Sequence, residues 1–237
     1  MRNAPGRPDD GRPRWTGPLP HPFYSHFIKR ALDIALALLL AIPGLALMLP
    51  LAVWVKLDSS GAVFYRAPRG GYQNKPFKIL KFRTMVTGAD LTGGCTALND
   101  ARVTRAGRVL RASKLDEIPQ LINILKGDMS FIGPRPELLK YTDRYTPQQQ
   151  CILWVRPGIS DDASLAFISQ DEIVGEEDPV ANYEKYILDE KNAMRVRYAM
   201  SQSFRGDMRL LMRTCAGVFG KIRRIAAGRR YAADTEH

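Results

Sequence analysis

Two adjacent carboxylates, Asp116 and Glu117, sit in the stretch Lys114-Leu115-Asp116-Glu117-Ile118-Pro119-Gln120. Cations surround them: Arg105, Arg108, Arg111 and Lys114 lead in, and Gly133-Pro134-Arg135-Pro136 follows. Acids in a basic setting suit chemistry on a phosphate. The cations hold the anion, while a carboxylate attacks phosphorus or ligates a metal. Arg135 stands between two prolines, which fix the backbone on either side and bias it to an extended form. A rigidly held guanidinium is what bidentate phosphate recognition needs; a plain surface turn is the alternative. Lys81 and Arg83 fall on one face of a predicted strand. They are either phosphate ligands or a solvated charged edge.

The element that must carry the acids reads as a helix. Leu115, Ile118, Leu121, Ile122 and Leu125 recur at helical spacing. Ser113 is the expected N-cap, with Asp116 three residues on, and Gly127 is the expected stop. Pro119 then falls in or near the first turn, where its missing N–H does least harm. This places Asp116 and Glu117 at a helix N-terminus, whose positive end favours an ionised carboxylate. Consecutive helical residues face different ways, so one acid can attack while the other binds a metal. A pair that only caps the helix is the other reading. Arg102, Arg105, Arg108 and Arg111 recur every three residues and predict a basic helical ridge running into Asp116. Phosphate binding and simple solvation both fit it.

Lys and Arg number 35 against 24 Asp and Glu, a net charge of +11 over 237 residues. That balance points to nucleic acid, an acidic membrane surface or nucleotide substrates. The basic patches lack the aromatic interleaving of single-strand binders, so nucleic acid is not an expected partner. His21, His26 and His237 all lie near the termini, which argues against Ser-His-Asp, Cys-His and His-zinc sites. Cys95, Cys151 and Cys215 match no metal or redox spacing and fit reduced cytosolic thiols.

From Ile34 to Val55 no charge occurs, enough length to cross a hydrocarbon core of about 30 Å. Pro43-Gly44 interrupts the run near its middle, and both flanks are basic: Lys29 and Arg30 before, Lys56, Arg66 and Arg69 after. The positive-inside rule sends both ends to the cytoplasm. A helix-break-helix bent at Pro43 satisfies it; a Pro-kinked transmembrane helix is the alternative. Asp33 is expected to pair with Lys29 or Arg30 at headgroup level.

The prolines of the first 25 residues predict a disordered tail. It is not read as a signal peptide, because no small-residue cleavage site ends the apolar run. Val63-Phe64-Tyr65 and Phe77–Phe82 predict two strands flanking a Gly70-Gly71 turn, and residues 89–100 a polar loop. Arg156-Pro157-Gly158 is a second rigid turn. Asp161, Asp162, Asp171, Glu172, Glu176, Glu177 and Asp178 form an acidic region, read as a solvated loop or as contacts to metal or sugar hydroxyls. Tyr183 to Ser201 reads as helix. Met208, Leu211, Cys215, Val218, Ile222 and Ile225 repeat at 3,4,3,4,3, with Arg209, Arg213, Lys221, Arg223 and Arg224 between them. That is a basic amphipathic helix, lying on an anionic membrane or packed on its own domain.

Six motifs in order resemble the bacterial sugar transferases, the monotopic polyprenol-phosphate phosphoglycosyl transferases. They are Lys29-Arg30-Ala31-Leu32-Asp33 before the Pro-broken segment; Gly61–Tyr65; Phe77–Met85; Leu110–Glu117; Lys126–Pro136; and Arg156–Ile159. The resemblance implies an α+β, mostly helical fold. It divides into a disordered tail (1–27), a re-entrant membrane helix (28–57), a cytoplasmic catalytic domain with interfacial amphipathic helices (58–226) and a disordered tail (227–237). It implies transfer of a sugar-1-phosphate from a UDP-sugar to polyprenyl (undecaprenyl) phosphate with release of UMP, on the cytoplasmic face of the bacterial inner membrane. Asp116 would be the nucleophile that forms a phosphosugar intermediate. Glu117 would ligate Mg²⁺, Arg135 would hold a phosphate with Lys81 and Arg111 as further candidates, Pro43 would set the membrane bend, and anionic lipids would be partners. After Gly158 the chain departs from the commoner family pattern, running Ser160-Asp161-Asp162-Ala163-Ser164, similar to an Asp-x-Ala-Ser branch. Arg195 falls near where relatives often show an acid. These departures bear on which sugar is used. Two rivals explain less: another Mg²⁺-dependent phosphoryl enzyme acting on a lipid, and a non-catalytic basic membrane-binding protein.

Overall fold

Every residue from Lys29 to Asp58 is helical, forming α1, and wider turns at Tyr24–Ile28 lead into it. The computed structural model describes Gly17 and residues 21–89, 100–167, 170–175 and 177–226. Most of the expected N-terminal tail, most of the 89–100 loop, Cys95, Glu176 and the 227–237 tail therefore lie outside the described residues. Helix already begins at Pro22, within the segment expected to be tail. Pro43 and Pro50 are both inside α1, and the helical assignment is unbroken across them. The expected interruption at Pro43 is thus not a non-helical break. Among the described residues, Tyr24–Asp58 is the one helix long and apolar enough to cross a membrane, by length and composition.

Most apolar side chains of α1 point away from the protein, including Leu39, Ile42, Leu45, Leu49 and Leu57. The opposite face is bound along its whole length to the rest of the chain. Lys29 Nζ reaches Asp207 Oδ2 at 2.6 Å. The Arg30 guanidinium donates to Ile124 O at 2.6 Å and Leu125 O at 3.0 Å. Asp33 Oδ1 accepts from Ser130 Oγ and the Phe131 N–H at 3.0 and 3.1 Å. The expected Asp33–Lys29 and Asp33–Arg30 pairs are not what forms: burial among these backbone groups gives each side chain a better-defined partner. Ala37 joins a buried cluster with Ala67, Ile79, Ile124 and Met129. At the far end Val55 packs on Phe82 and Leu110, and Asp58 Oδ2 accepts from the Ala106 N–H at 2.9 Å.

The remaining elements form a small mixed body. Strands β1 (Phe64–Arg69) and β2 (Phe77–Phe82) pair antiparallel, with Phe64 opposite Phe82 and Arg69 opposite Phe77. Helix α2 (Arg105–Ser113) starts at an N-cap, Thr104, whose side chain accepts from the Gly107 N–H. Arg102 therefore precedes the basic ridge instead of starting it; its guanidinium pairs with Asp100. After α3 (Gln120–Lys126) comes β3 (Ser130–Ile132), then α4 (Leu139–Thr142), a 3-10 turn at Gln149–Trp154 and β4 (Gly158–Ser160). Strands β3 and β4 run parallel, Ser130 beside Gly158 and Ile132 beside Ser160. Helices α5 (Asp162–Ala166), α6 (Gln170–Val174), α7 (Pro179–Tyr186), α8 (Leu188–Ser201) and α9 (Phe204–Ala226) complete the described chain. The predicted 183–201 helix is thus two helices, broken at Ile187, whose side chain is fully buried. A core of Ile132, Cys151, Ile152, Val155, Ala199 and Leu210 joins β3, the 3-10 turn, α8 and α9.

Candidate active site

Asp116 and Glu117 do not start a long helix. Ser113 is the last residue of α2, and its hydroxyl donates back to Val109 O. Lys114 ends α2 in the left-handed region, at φ 62°. The chain then makes one 3-10 turn, Leu115–Glu117, and α3 begins after Pro119. The predicted capping box fails because the left-handed Lys114 takes the break that Ser113 was expected to make. A non-glycine residue held there carries backbone strain, which the surrounding packing must over-determine. The consequence is that both carboxylates sit on a tight corner between two helices, and both are buried, at 6% and 7% exposure.

Two cations are brought to this corner by separate elements. Lys81 Nζ, from β2, lies 2.9 Å from Glu117 Oε1. Asn123 of α3 fixes that strand: its Oδ1 accepts from the Leu80 N–H at 3.0 Å and its Nδ2 donates to Lys78 O at 3.0 Å. Arg135 Nη2 also donates to Glu117 Oε1, while Nη1 donates to Ile159 O at 2.6 Å and makes a long contact, 3.5 Å, to Glu117 Oε2. Arg135 is therefore tied to the acids and to β4 at once, which excludes the plain surface turn. Its own N–H donates to Asp161 Oδ2 at 2.9 Å.

Behind Arg135 lies a second ion network that sequence reasoning did not assemble. Arg195 is 2% exposed. Its Nη1 meets Glu137 Oε1 at 2.9 Å and its Nε meets Asp161 Oδ2 at 3.4 Å. Tyr183 Oη donates to the same Glu137 oxygen at 2.6 Å. Asp161 also caps α5 by accepting from the Ser164 N–H at 2.7 Å. So Asp161 is not part of a solvated acidic loop. Asp162 is surface-exposed against Arg213, and Asp178 caps α7. The sequence held separate signals for it: Asp161 and Arg195 each fall where the chain departs from the commoner pattern of the family it resembles.

The environment separates the two acids. Burial pushes the Asp116 carboxyl up from its ordinary value; Lys81 pulls it down, and the Glu117 charge adds to the rise. The helix-end stabilisation expected from the sequence is not the dominant influence. For Glu117, burial also opposes ionisation, but Arg135, Lys81 and Lys114 outweigh it and hold the carboxyl well below the usual carboxylate range. Asp116 Oδ1 is buried without a hydrogen-bond partner. An orphaned carboxylate oxygen is costly unless something is meant to meet it.

Both acids open onto a cavity of about 2040 Å³. One wall is apolar: Leu36, Leu40, Pro43, Gly44 and Leu47 of α1, with Ile118 and Leu121. A second is basic, with Arg66, Arg108, Arg111 and Lys114. Arg111 Nε donates to Thr84 Oγ1 at 2.9 Å. A third comprises Ser164, Leu165, Phe167, Gln170 and Lys191. Leu211, Cys215 and Val218 of the predicted amphipathic face line the cavity too, while Phe219 faces outward. Lys81, Arg111, Arg135, Asp116 and Glu117 are thus brought together. Arg83 lines the cavity as well, but its guanidinium is engaged with the end of α1: Nη2 donates to Ser59 O at 2.6 Å and Val55 O at 3.2 Å, tying that end to the chain just after β2.

Among the described residues no group of three or more His, Cys, Asp or Glu forms a metal cluster. The donor set does fit Mg²⁺, which keeps several waters and takes one or two carboxylates plus substrate phosphates. Glu117 Oε2, held by the long contact to Arg135, is the carboxylate oxygen that would meet the metal, while Asp116 Oδ1 has no hydrogen-bond partner.

The bacterial sugar transferase family model matches residues 24–221. The chain belongs to the bacterial sugar transferase family. Residues of the chain are 46% identical over 147 positions to an Aeromonas hydrophila UDP-N-acetylgalactosamine-undecaprenyl-phosphate N-acetylgalactosaminephosphotransferase, covering 60% of this chain and 34% of that protein. They are 43% identical over 148 positions to a Caulobacter vibrioides UDP-glucose:undecaprenyl-phosphate glucose-1-phosphate transferase, covering 61% and 55%. The uncharacterized sugar transferase EpsL of Bacillus subtilis matches at 39% over 139 positions, covering 58% and 68%. The chain therefore spans about a third and about half of the first two relatives' length.

Proposed function

We propose that this sugar transferase moves a sugar-1-phosphate from a UDP-sugar to undecaprenyl phosphate, with Asp116 as nucleophile. The observation that carries the reading is the corner itself: a buried carboxylate with a free oxygen, beside a second carboxylate neutralised by Lys81 and Arg135. An Asp116 oxygen attacks the sugar-bearing phosphorus. The bond from that phosphorus to the bridging oxygen breaks, and UMP leaves with the bridging oxygen. An oxygen of undecaprenyl phosphate then attacks the same phosphorus and frees Asp116. Arg135 and Lys81 hold Glu117 ionised and in place, and with Arg111 they offer positive charge to the transferring phosphate. Glu117, together with the donor's phosphates, would hold Mg²⁺, which supplies charge neutralisation at the diphosphate. The apolar wall from Leu36 to Leu47 suits a prenyl chain entering from the membrane.

Membrane association at the cytoplasmic face is part of the same proposal. The outward leucines of α1 suit lipid, while Lys29 and Asp58, at opposite ends of the helix, both bond to one body. A helix crossing the bilayer would put those ends on opposite sides of a hydrocarbon core about 30 Å thick, where one body could not bond both. This favours a segment that enters and leaves by one face, bent near Pro43.

The test is UMP release from a panel of UDP-sugars with undecaprenyl phosphate and Mg²⁺. UMP from one sugar, lost in Asp116→Asn and with a raised Mg²⁺ requirement in Glu117→Gln, is the expected result. No UMP from any sugar would turn the assignment toward another phosphoryl enzyme. Unchanged Mg²⁺ dependence in Glu117→Gln would remove Glu117 as the ligand.

A further inference from the structure

The third wall of the cavity differs in chemistry from the other two. Lys191 is 6% exposed yet lines the cavity. Its ammonium donates to Gln170 Oε1 and stands between the rings of Tyr183 and Phe167, 5.4 and 5.6 Å from their centroids. An ammonium carries three donors, and one is engaged with Gln170. The charges facing it are Arg195 and Arg135 on one side of the balance and Glu137 and Asp161 on the other. With Arg135 and Arg195, Lys191 makes three cations against the two carboxylates Glu137 and Asp161; Arg195 pairs with both of these and Arg135 with Glu117, and Lys191 has no ion pair among the described residues.

The double displacement needs three places around Asp116. The nucleotide and the lipid phosphate occupy the leaving and attacking side in turn, while the sugar stays on the transferring phosphorus throughout. Apolar α1 suits the prenyl chain, and Arg66, Arg108, Arg111 and Lys114 suit the anionic nucleotide. What remains is a half-apolar corner with a buried ammonium donor.

We infer that Lys191 and Gln170, on the wall formed by α6 and α8, bind the ring of the donor sugar through its oxygens. The inference rests on the proposed transferase reading. Burial lowers Lys191 to about 8, so it is a donor at neutral pH and ceases to be a charged one above.

Binding of UDP, UDP-glucose, UDP-N-acetylgalactosamine and UDP-glucuronate to the full-length protein in detergent, measured by calorimetry, tests this. Wild type should bind one UDP-hexose more tightly than UDP. Lys191→Met should raise the Kd for that hexose about tenfold and leave the Kd for UDP unchanged. Gln170→Leu, on a partly exposed helix, should do the same more weakly, which covers the case of a poorly folded Lys191 variant. Raising the pH through about 8 should weaken hexose binding in wild type but not in Lys191→Met. Equal wild-type affinity for UDP and every UDP-sugar, or variants that shift UDP and UDP-hexose together, would overturn the sugar corner while leaving the transferase reading in place. Failure of wild type to bind any of the four would instead bring down the transferase reading on which it rests.

Discussion

At the scale of single residues, the site works by giving two neighbouring carboxylates opposite environments. Glu117 is kept ionised by Arg135 and Lys81, whereas burial makes ionised Asp116 harder to reach. In the proposed reaction the ionised form of Asp116 attacks, and that form becomes populated only as pH rises through a value above the ordinary one for aspartate. Donor kcat/KM should fall on the acid side at a higher pH than an exposed aspartate would give. Lys81 is the strongest charge favouring ionised Asp116, so Lys81→Met should move that limb to higher pH. An acid limb that stays in place would mean that a different group controls the attack. Residue types were legible in the sequence: Asp116, Glu117, Arg135, Lys81 and Arg111 all reach one cavity. Their partnerships were not. The Lys81–Glu117 and Arg135–Asp161 contacts join positions 36 and 26 apart, and local periodicity holds no information on such distances.

At the scale of elements, tight backbone crossings set Arg135. A Cβ on Gly158 would lie 2.2 Å from Gly133 N and 2.4 Å from Gly133 O, so β4 and the turn after β3 can approach only without side chains there. Gly158→Ala should cost about 2 kcal/mol of stability and lower activity by displacing Arg135. Melting and UMP assays would check this, and an unaffected variant would show that the crossing can relax. The β1–β2 hairpin was readable because its strands alternate around a glycine turn. The β3–β4 pair was not, since each strand has three residues and their partners are far apart in sequence. The corner at Lys114 was misread as a helix start because Ser113 and Asp116 carry capping chemistry; what decides the outcome is the left-handed turn at Lys114, a conformation that lysine does not advertise. For α1, cysteines placed at positions 23 and 60, both on exposed residues, should be labelled from the same side of the membrane. Labelling from opposite sides would establish a simple span.

At the scale of the whole molecule, the net charge of +11 and the lipid-suited face of α1 gave the setting, while burial decides how the body responds to pH. Burial works against ionised Glu137 and Asp161, but Arg195 and their hydrogen bonds hold both below their ordinary values. Groups lowered in the folded state contribute stability above the unfolded carboxylate range of roughly 4, and lose it as pH falls through the folded values. Asp116, being raised, has the opposite sign, and its cost is relieved on acidification. Melting temperature should therefore drop below about pH 4, and Asp161→Asn should lower it at pH 7 while flattening the acid loss. A variant with an unchanged acid profile would show that the Arg195 network does not control acid stability. The central claim is that Asp116 carries the sugar phosphate. Protein incubated with its UDP-sugar and Mg²⁺ but without lipid acceptor should release at most one UMP per chain and gain the mass of one sugar phosphate at Asp116. Continued UMP release from Asp116→Asn, or a single turnover that leaves no mass on Asp116, would contradict it.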